Sequence, residues 1–555
     1  MKNIFKKGLA AILTAGMLAG CSSDYLDVPP VTSVSSSLVQ TTQEGAQAAL
    51  YGLCQAMYTQ YTSLADYLFV NGEPWIQMVY GDVFGQDYYS YFFASATGPN
   101  FNWVSMNMKE GWMAAIGWRY AYNLINQANM ILDGIDTIEG DRDRLDFIKA
   151  QALTIRAHAY VRLLQLYGPR WQNSQNGEKY VCVMRLHAGT EELPLVTMND
   201  VLNQLYSDLT TAEGLFESCG VKRDHKWEPD ASVAYGIHAR AAMLKEDWAT
   251  AQTTANKARQ GYPIMTAEEY KAGFAEANGE WIWNNAPQLE GIYYFAHGSL
   301  FACNGPYPAV WGNGAGAINY ELYKQIPSGD IRAELFFTPD KLVGNSVTSA
   351  QFWNDKTCDP VSMNLNSLNA LMMNQLEAFG EKRQPNESWP KPYTNFQSKS
   401  SKDVVIAFGA QYKFWCTEDY GTNSFPFMRG AEMLLNEAEA AYHNDDTGTA
   451  LACLAELNAQ RNPNYTCNKS GEALLNEIKL QRRIELWGEG YNFFDLKRWN
   501  EPLVRNVWEA RNTRSNNIPQ ASKLSKDPSD NNGWRWSVPQ SESQYNSKID
   551  RTLVD

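Results

Sequence analysis

From Gly8 to Met108 the chain contains no lysine or arginine. Over its 555 residues 47 basic side chains face 61 acidic ones, for a net charge of -14. Nucleic acids and anionic membrane surfaces reward clusters of Lys and Arg, so neither is expected as a main partner. Beyond residue 20 no apolar run approaches the ~20 residues that a membrane-crossing helix needs. The nine cysteines (21, 54, 182, 219, 303, 358, 416, 453 and 467) include no C-x-x-C, and their spacing gives no disulfide framework. Pairs and free buried thiols are equally good readings of them. The six histidines stand far apart and no H-E-x-x-H occurs, so no metal site emerges. No G-x-S-x-G elbow, phosphate loop or dinucleotide fingerprint can be placed at a strand-to-helix turn. Acidic neighbours such as Glu191-Glu192, Asp445-Asp446 and Glu437/Glu439 occur in any acidic chain of this size. Binding without chemistry is therefore expected in place of an enzyme.

What is present begins at the first residue. Lys2, Lys6 and Lys7 precede an apolar run, Gly8 to Leu18, and Leu18-Ala19-Gly20-Cys21 follows. A basic start with roughly eleven apolar or small residues reads as an export signal, too short to span a bilayer. Small residues before a cysteine look like a bacterial lipoprotein box, so residues 1–20 are expected to be removed and Cys21 lipidated. Several acyl chains on one residue give a stable anchor in the lipid bilayer where a single chain binds only marginally. Loss of the three lysines makes the remaining chain more acidic still. Residues 21–37, with Pro29-Pro30 among Ser, Thr and Val, read as an extended tether.

Helical periodicity then appears in pieces. Thr41-Thr42-Gln43-Glu44 resembles a cap before a helix over Gly45 to Tyr61. Further helices are expected at Lys109 to Gly134 and, after a charged turn Glu139 to Arg144, at Phe147 to Tyr167. Met198 to Cys219 is another. Ala231 to Lys245 and Trp248 to Arg259 form a pair with alanines at the crossing, and Arg429 to His443 with Thr449 to Asn462 repeats the form. Pairs of roughly 34 residues with small side chains where the helices approach are the tetratricopeptide signature. The expected fold is mainly α: a degenerate tetratricopeptide-like solenoid of helix pairs, wrapped by a loop-rich irregular portion with short strands. Strand candidates are Tyr180 to Met184, Tyr293 to Ala296, Val404 to Ala407 and Tyr412 to Trp415.

Aromatics are abundant, with 18 Trp, 30 Tyr and 22 Phe; some belong to the core, but the tryptophans are more than a core of this size needs. In the irregular segments they interleave with Asn, Asp, Glu and Gln. Ring faces beside such polar groups suit a neutral ligand with an apolar face and polar edges, such as a sugar. The candidate platform is Trp75, Tyr88, Tyr89, Tyr91, Trp103, Trp283, Phe301, Tyr307 and Trp311; for each, a packed loop aromatic is the plainer reading.

A series of motifs in fixed order resembles the SusD/RagB family of Bacteroidota surface lipoproteins. Behind the lipobox stands Tyr25-Leu26-Asp27-Val28-Pro29-Pro30. Then come Trp118-Arg119-x-x-Tyr122-x-x-Ile125-x-x-Ala128-Asn129, Arg156-Ala157-x-x-Tyr160-x-x-Leu163 and Asp330-x-Arg332. Arg429-x-Ala431-Glu432, Arg482-Arg483-x-Glu485-x-x-x-Glu489-Gly490 and Phe494-Asp495-Leu496-x-Arg498-Trp499 follow, with Trp536-Ser537-Val538-Pro539-Gln540-Ser541-Glu542 near the end. The family's Gly-Arg after Glu489 appears here as Gly490-Tyr491-Asn492.

The resemblance implies one SusD-like domain over 38–555. Its helical scaffold would occupy about 38–63, 109–260 and 426–500, and its ligand-binding and wrapping segments about 64–108, 261–425 and 501–555. It also implies an outward-facing lipoprotein of the outer membrane that binds oligo- or polysaccharide nutrients. These would be delivered to a SusC-like, TonB-dependent transporter. The same lid tuned for peptides, or a non-transport structural or adhesion lipoprotein, are the alternatives. Structural calcium occurs in some relatives and stays open here, and no other cofactor is expected. Arg156, Asp330, Arg332, Arg483, Glu485, Glu489, Asp495 and Arg498 are expected to form a structural charge network that fixes helix register, not ligand contacts.

Overall fold

The computed structural model describes residues 36–58, 72–89, 103–285, 301–302, 316–336, 362–364, 403–405, 411, 413–414, 424–505 and 523–555. Helices dominate them. The α-helices of eight residues or more are α1 (Gln43–Ala56), α2 (Trp112–Leu132), α3 (Arg142–Tyr167), α4 (Met198–Cys219), α5 (Ala231–Lys245), α6 (Trp248–Ala258), α7 (Gly430–His443), α8 (Thr447–Ala459), α9 (Glu472–Glu485) and α10 (Asn492–Trp499).

Side-chain caps set many of the starting points. Thr42 accepts from the Gly45 amide, Asp141 from Asp143 and Arg144, Asp230 from Val233, Asp247 from Thr250 and Asp446 from Thr449. Thr197 and Asp200 form a reciprocal capping box at α4. These caps explain where the periodicity misplaced an end. The charged residues 142–144 belong to the first turn of α3 because Asp141 satisfies its amides, and α8 starts at Thr447 behind Asp446. Helix α1 stops at Ala56, short of the expected Tyr61.

Helices α2 to α6 pack mainly on their neighbours in the chain: α2 on α3, α3 on α4, α4 on α5 and α5 on α6. The series then continues from α6 directly onto α7, and α7 packs on α8 and α9. The solenoid is thus continuous in space although some 170 residues lie between α6 and α7 in sequence. Close approach is permitted by small side chains. Ala239, Ala242, Ala251, Ala255, Ala258, Ala438, Ala441 and Ala450 are all fully buried at these crossings.

The described strands form five two-stranded antiparallel pairs. Tyr180–Val183 pairs with Leu195–Thr197 beside α3 and α4. Trp281–Asn284, where no strand was expected, pairs with Pro426–Arg429 and so ties the two ends of the long insertion together at α7. Tyr88–Tyr89 pairs with Ala317–Ile318, and Leu503–Arg505 with Leu524–Lys526. Asp403–Val405 pairs with Ser362–Asn364, close to the expected Val404 to Ala407. Within the expected strand Tyr412 to Trp415, Lys413 and Phe414 are not in a strand; the Lys413 ammonium is drawn to Glu489. Tyr293 to Ala296 lies outside the described residues.

Candidate functional site

Five of the candidate platform aromatics are core residues. Trp75, Trp283 and Phe301 are fully buried, and Tyr88 and Trp103 nearly so. The Trp103 indole donates to the Phe84 carbonyl at 3.0 Å and meets Trp534 edge-on at 4.9 Å. Trp283 donates to the Trp227 carbonyl at 3.1 Å and packs on Phe427 and His158. Trp75 lies against Trp112, and Tyr88 between Trp487 and Phe301. Their faces are covered by protein, which corrects the expectation that they stack on a ligand.

The acidic residues among them are buried too. Residues Glu73–Trp75 and the following π-helix Ile76–Val83 are buried throughout. Glu73 is gripped by the Arg162 guanidinium, by His158 at 3.1 Å and by the Tyr120 hydroxyl at 2.8 Å. Asp82 accepts from the Gly490 amide at 2.6 Å and from Asn492, and burial pushes its carboxyl up to about 7. What resembled the polar edges of a sugar site is a set of buried anchors. Of the remaining candidates, Tyr89 stands in the strand Tyr88–Tyr89, while Tyr91, Tyr307 and Trp311 lie outside the described residues.

That strand is a juncture between two parts of the chain far apart in sequence. Tyr88 is opposite Ile318 and Tyr89 opposite Ala317. Tyr91 follows Tyr89 by two residues and Trp311 precedes Ala317 by six in the sequence, both outside the described residues. A side chain at Gly316 would collide with the Tyr88 ring, so only glycine lets the chain pass there. The juncture is anchored from below at Asp87. Arg483 donates to its carboxylate in a fork at 2.8 and 2.6 Å, Asn492 adds a donor at 2.6 Å, and the Asp87 carbonyl accepts from the Trp487 indole and the Asn319 amide. Gln411 closes the other side, its side chain donating to the Phe301 carbonyl and its backbone amide to the Gly316 carbonyl.

Beneath lies a buried network of charges. Arg332 forks onto Asp330 at 2.9 and 2.6 Å and reaches Glu485 at 3.3 Å. Arg429 joins Glu489, Glu280 and Glu485 at 2.6, 2.6 and 3.0 Å, and Arg461 forks onto Glu485. Lys413 contacts Glu489 at 2.5 Å and carbonyls at Glu485 and Trp487; burial lowers its ammonium to about 8 against the pull of Glu489. The sequence signal missed Arg461, Lys413 and Glu280, and showed Arg429 as a motif residue without assigning it to the network, because their pairing crosses elements far apart in the chain. Arg156 is separate, forked onto Asp208 at 2.8 and 2.7 Å and bonded to Asn129. Asp495 and Arg498 form a third cluster with Arg482 and Glu439.

These carboxylates set an acid limit. Burial alone would raise Glu439, but the Arg498 guanidinium outweighs it and holds the carboxyl down to about 2. Glu485 is likewise desolvated, yet Arg461, Arg429 and Arg332 hold it well below the usual range. A depressed carboxylate contributes stability that is present above its unfolded pKa, about 4.3, and lost as pH falls toward the folded value. Stability followed by urea denaturation is therefore expected to fall between about pH 4.5 and 2. A flat profile there would contradict the network's ionised state.

Among the described residues no group of three His, Cys, Asp or Glu is placed to hold a metal ion. Cys54, Cys182, Cys219, Cys453 and Cys467 are free thiols, and burial pushes Cys182 up to about 12. No described helix is long and apolar enough to cross a membrane. An open groove of about 560 Å³ runs between Tyr122 and Met130 of α2, residues 185–192, and the exposed Tyr545 ring.

Two family models match the chain: one described as "SusD family" over residues 293–553, and one described as "Starch-binding associating with outer membrane" over residues 53–243. No curated protein matches. Among solved structures, the chain is similar to a SusD-like carbohydrate binding protein of Bacteroides vulgatus (TM-score 0.70, 22% identity, 92% of this chain and 97% of that one). A SusD superfamily protein of Bacteroides thetaiotaomicron gives a TM-score of 0.66 at 18% identity, with 92% and 99% covered. A further SusD superfamily protein of Bacteroides vulgatus gives 0.67 at 17%, with 92% and 98% covered.

Proposed function

The chain belongs to the SusD/RagB family, and on that premise we propose that it is a carbohydrate-binding nutrient-uptake lipoprotein of the outer membrane. Cys21 carries the lipid, the body faces outward, and bound oligo- or polysaccharide is handed to a SusC-like, TonB-dependent transporter. The protein supplies no chemistry of its own: it captures, orients and releases. Residues 38–555 act as one domain, the helix pairs being the scaffold and the irregular segments the ligand-binding part.

The observation that carries this reading is the strand pair of Tyr88–Tyr89 with Ala317–Ile318. It joins Tyr88–Tyr89 to Ala317–Ile318 over a base fixed by Arg483, Asp87 and Trp487, and we assign the ligand-binding rings to the sequence that adjoins these two strands, with Tyr89, Tyr91, Tyr307 and Trp311 as the candidates. Rings on loops held by a rigid scaffold suit stacking on sugar faces, because stacking removes apolar area while the scaffold limits the entropy lost on binding. Calorimetric titration of the chain from Ser22 to Asp555 with a panel of neutral polysaccharides tests it. Saturable binding of at least one glycan is expected. Binding of peptides alone would transfer the lid to peptide uptake, and binding of neither would favour an adhesion role.

A further inference from the structure

Among the described residues the most exposed large apolar side chain is Tyr545, at 85%. It ends the short helix Gln540–Tyr545 near the C-terminus, and it lines the open groove that also takes in Tyr122, Asn126 and Met130 of α2. A lone surface ring needs no explanation, but this one borders a concavity whose walls are tied to one another. The Ala188 amide donates to the Asp133 carboxylate at 2.9 Å, and His187 bonds the same carboxylate at 2.7 Å. The Gly189 amide donates to the Asn126 side chain at 3.2 Å, so residues 187–189 are held to α2. Asn546, next to Tyr545, donates to the Leu193 carbonyl at 2.8 Å, and the Ser547 amide to Glu192 at 3.2 Å. Glu542 accepts from the Trp118 indole of α2 at 3.0 Å. Three segments far apart in the chain thus hold one another in place, and a site fixed in this way loses little entropy when it binds.

The groove measures about 560 Å³, within the roughly 300–1,000 Å³ of ligand pockets. Its polar lining is of both kinds. The side chains of Gln40 and Thr190 make no hydrogen bond among the described residues, and Asn126, whose Oδ1 is taken by Gly189, keeps its Nδ2 donors unused. Glu191, Glu192 and Glu542 supply carboxylate oxygens against the single guanidinium of Arg185, which lies 3.6 Å from Glu191. Three carboxylates facing one cation repel an anionic ligand. A bare cation would leave the amide donors of Gln40 and Asn126 unmet and would face Arg185. A sugar hydroxyl both donates and accepts. One neutral ligand can therefore meet the amide donors and the carboxylate acceptors while its apolar ring face covers Tyr545.

We propose that this groove is a second carbohydrate site, taking a short neutral segment of glycan with one sugar ring against Tyr545. None of the residues of the Tyr88–Tyr89 juncture lines it. The class of ligand rests on the proposed function; the position does not.

Met130 lines the groove and carries a methyl group that reports on it. The test labels the methionine methyls of the chain from Ser22 to Asp555 with carbon-13 and assigns the Met130 resonance through Met130→Leu. The chain is then titrated to millimolar concentration with maltotriose, cellotriose, xylotriose and mannotriose, and with trilysine as the cationic probe. A saturable shift of the Met130 resonance with at least one trisaccharide is expected. Tyr545→Ala should weaken that titration about tenfold, through the loss of one stacking ring, and should leave the unfolding midpoint in place, because the side chain is exposed. No shift with any of the four sugars, a shift with trilysine alone, or an equal titration in Tyr545→Ala would overturn the inference. Polysaccharide binding seen by calorimetry with a silent Met130 resonance would remove this site and leave the proposed function standing. Silence in both measurements would remove both.

Discussion

Replacing Arg429 by leucine is expected to cost about 3–5 kcal/mol of folding stability, the range for breaking a buried ion pair from one side. The guanidinium is fully buried and uses all three nitrogens, on Glu489, Glu280 and Glu485 and on the Glu485 carbonyl. Leucine fills part of the volume but leaves those buried carboxylates with less cation than they need. Arg461 and Arg332 still share Glu485, and Lys413 still contacts Glu489, so the network loses its hub without losing every partner. Against a typical total of roughly 5–15 kcal/mol this is a large fraction. Urea denaturation followed by tryptophan fluorescence would show the midpoint displaced downward. Arg142→Leu is the control. Its pair with Asp146 lies on the exposed side of α3, where such a pair contributes at most about 0.5 kcal/mol. Equal effects from the two substitutions would mean that the buried network does not hold the centre together.

The centre is also where sequence and structure part company. Helices α4 and α5 coincide with the ranges their periodicity predicts, because both the buried stripe and the caps Thr197 and Asp230 are local signals. The strand Trp281–Asn284 has no comparable signature: its partner Pro426–Arg429 lies more than 140 residues away, and pairing at that distance leaves no local pattern. Charge behaves similarly. Arg332, Glu485 and Glu489 are visible as motif residues, yet Arg461 and Glu280, which complete the cluster, look like ordinary surface charges in sequence. Aromatics mislead for a different reason. Trp75, Trp103 and Trp283 sit beside Glu, Asp and Asn, a composition that serves a sugar site and a core with buried anchors equally well. Only the partners of Glu73 and Asp82 distinguish the two.

That distinction predicts opposite behaviour for two classes of tryptophan. Alanine at Trp311, or at Tyr89, should weaken binding of whichever neutral glycan the panel identifies by about five- to thirtyfold. That corresponds to roughly 1–2 kcal/mol for the loss of one stacking ring. The unfolding midpoint should stay where it was, because a ring that serves a ligand adds little to the core. Trp283→Ala should do the reverse. Its ring packs on Phe427 and His158 and its N–H is bonded to Trp227, so truncation opens a cavity and costs about 3–5 kcal/mol. Glycan affinity, measured well below the lowered midpoint, should change far less, since the ring touches no ligand. Paired calorimetry and urea denaturation on the variants read both quantities. Unchanged affinity in Trp311→Ala and Tyr89→Ala together would remove the site from the Tyr88–Tyr89 juncture. The open groove beside Tyr122 and Tyr545 would then be the next surface to probe, because there an aromatic ring faces solvent without any core role.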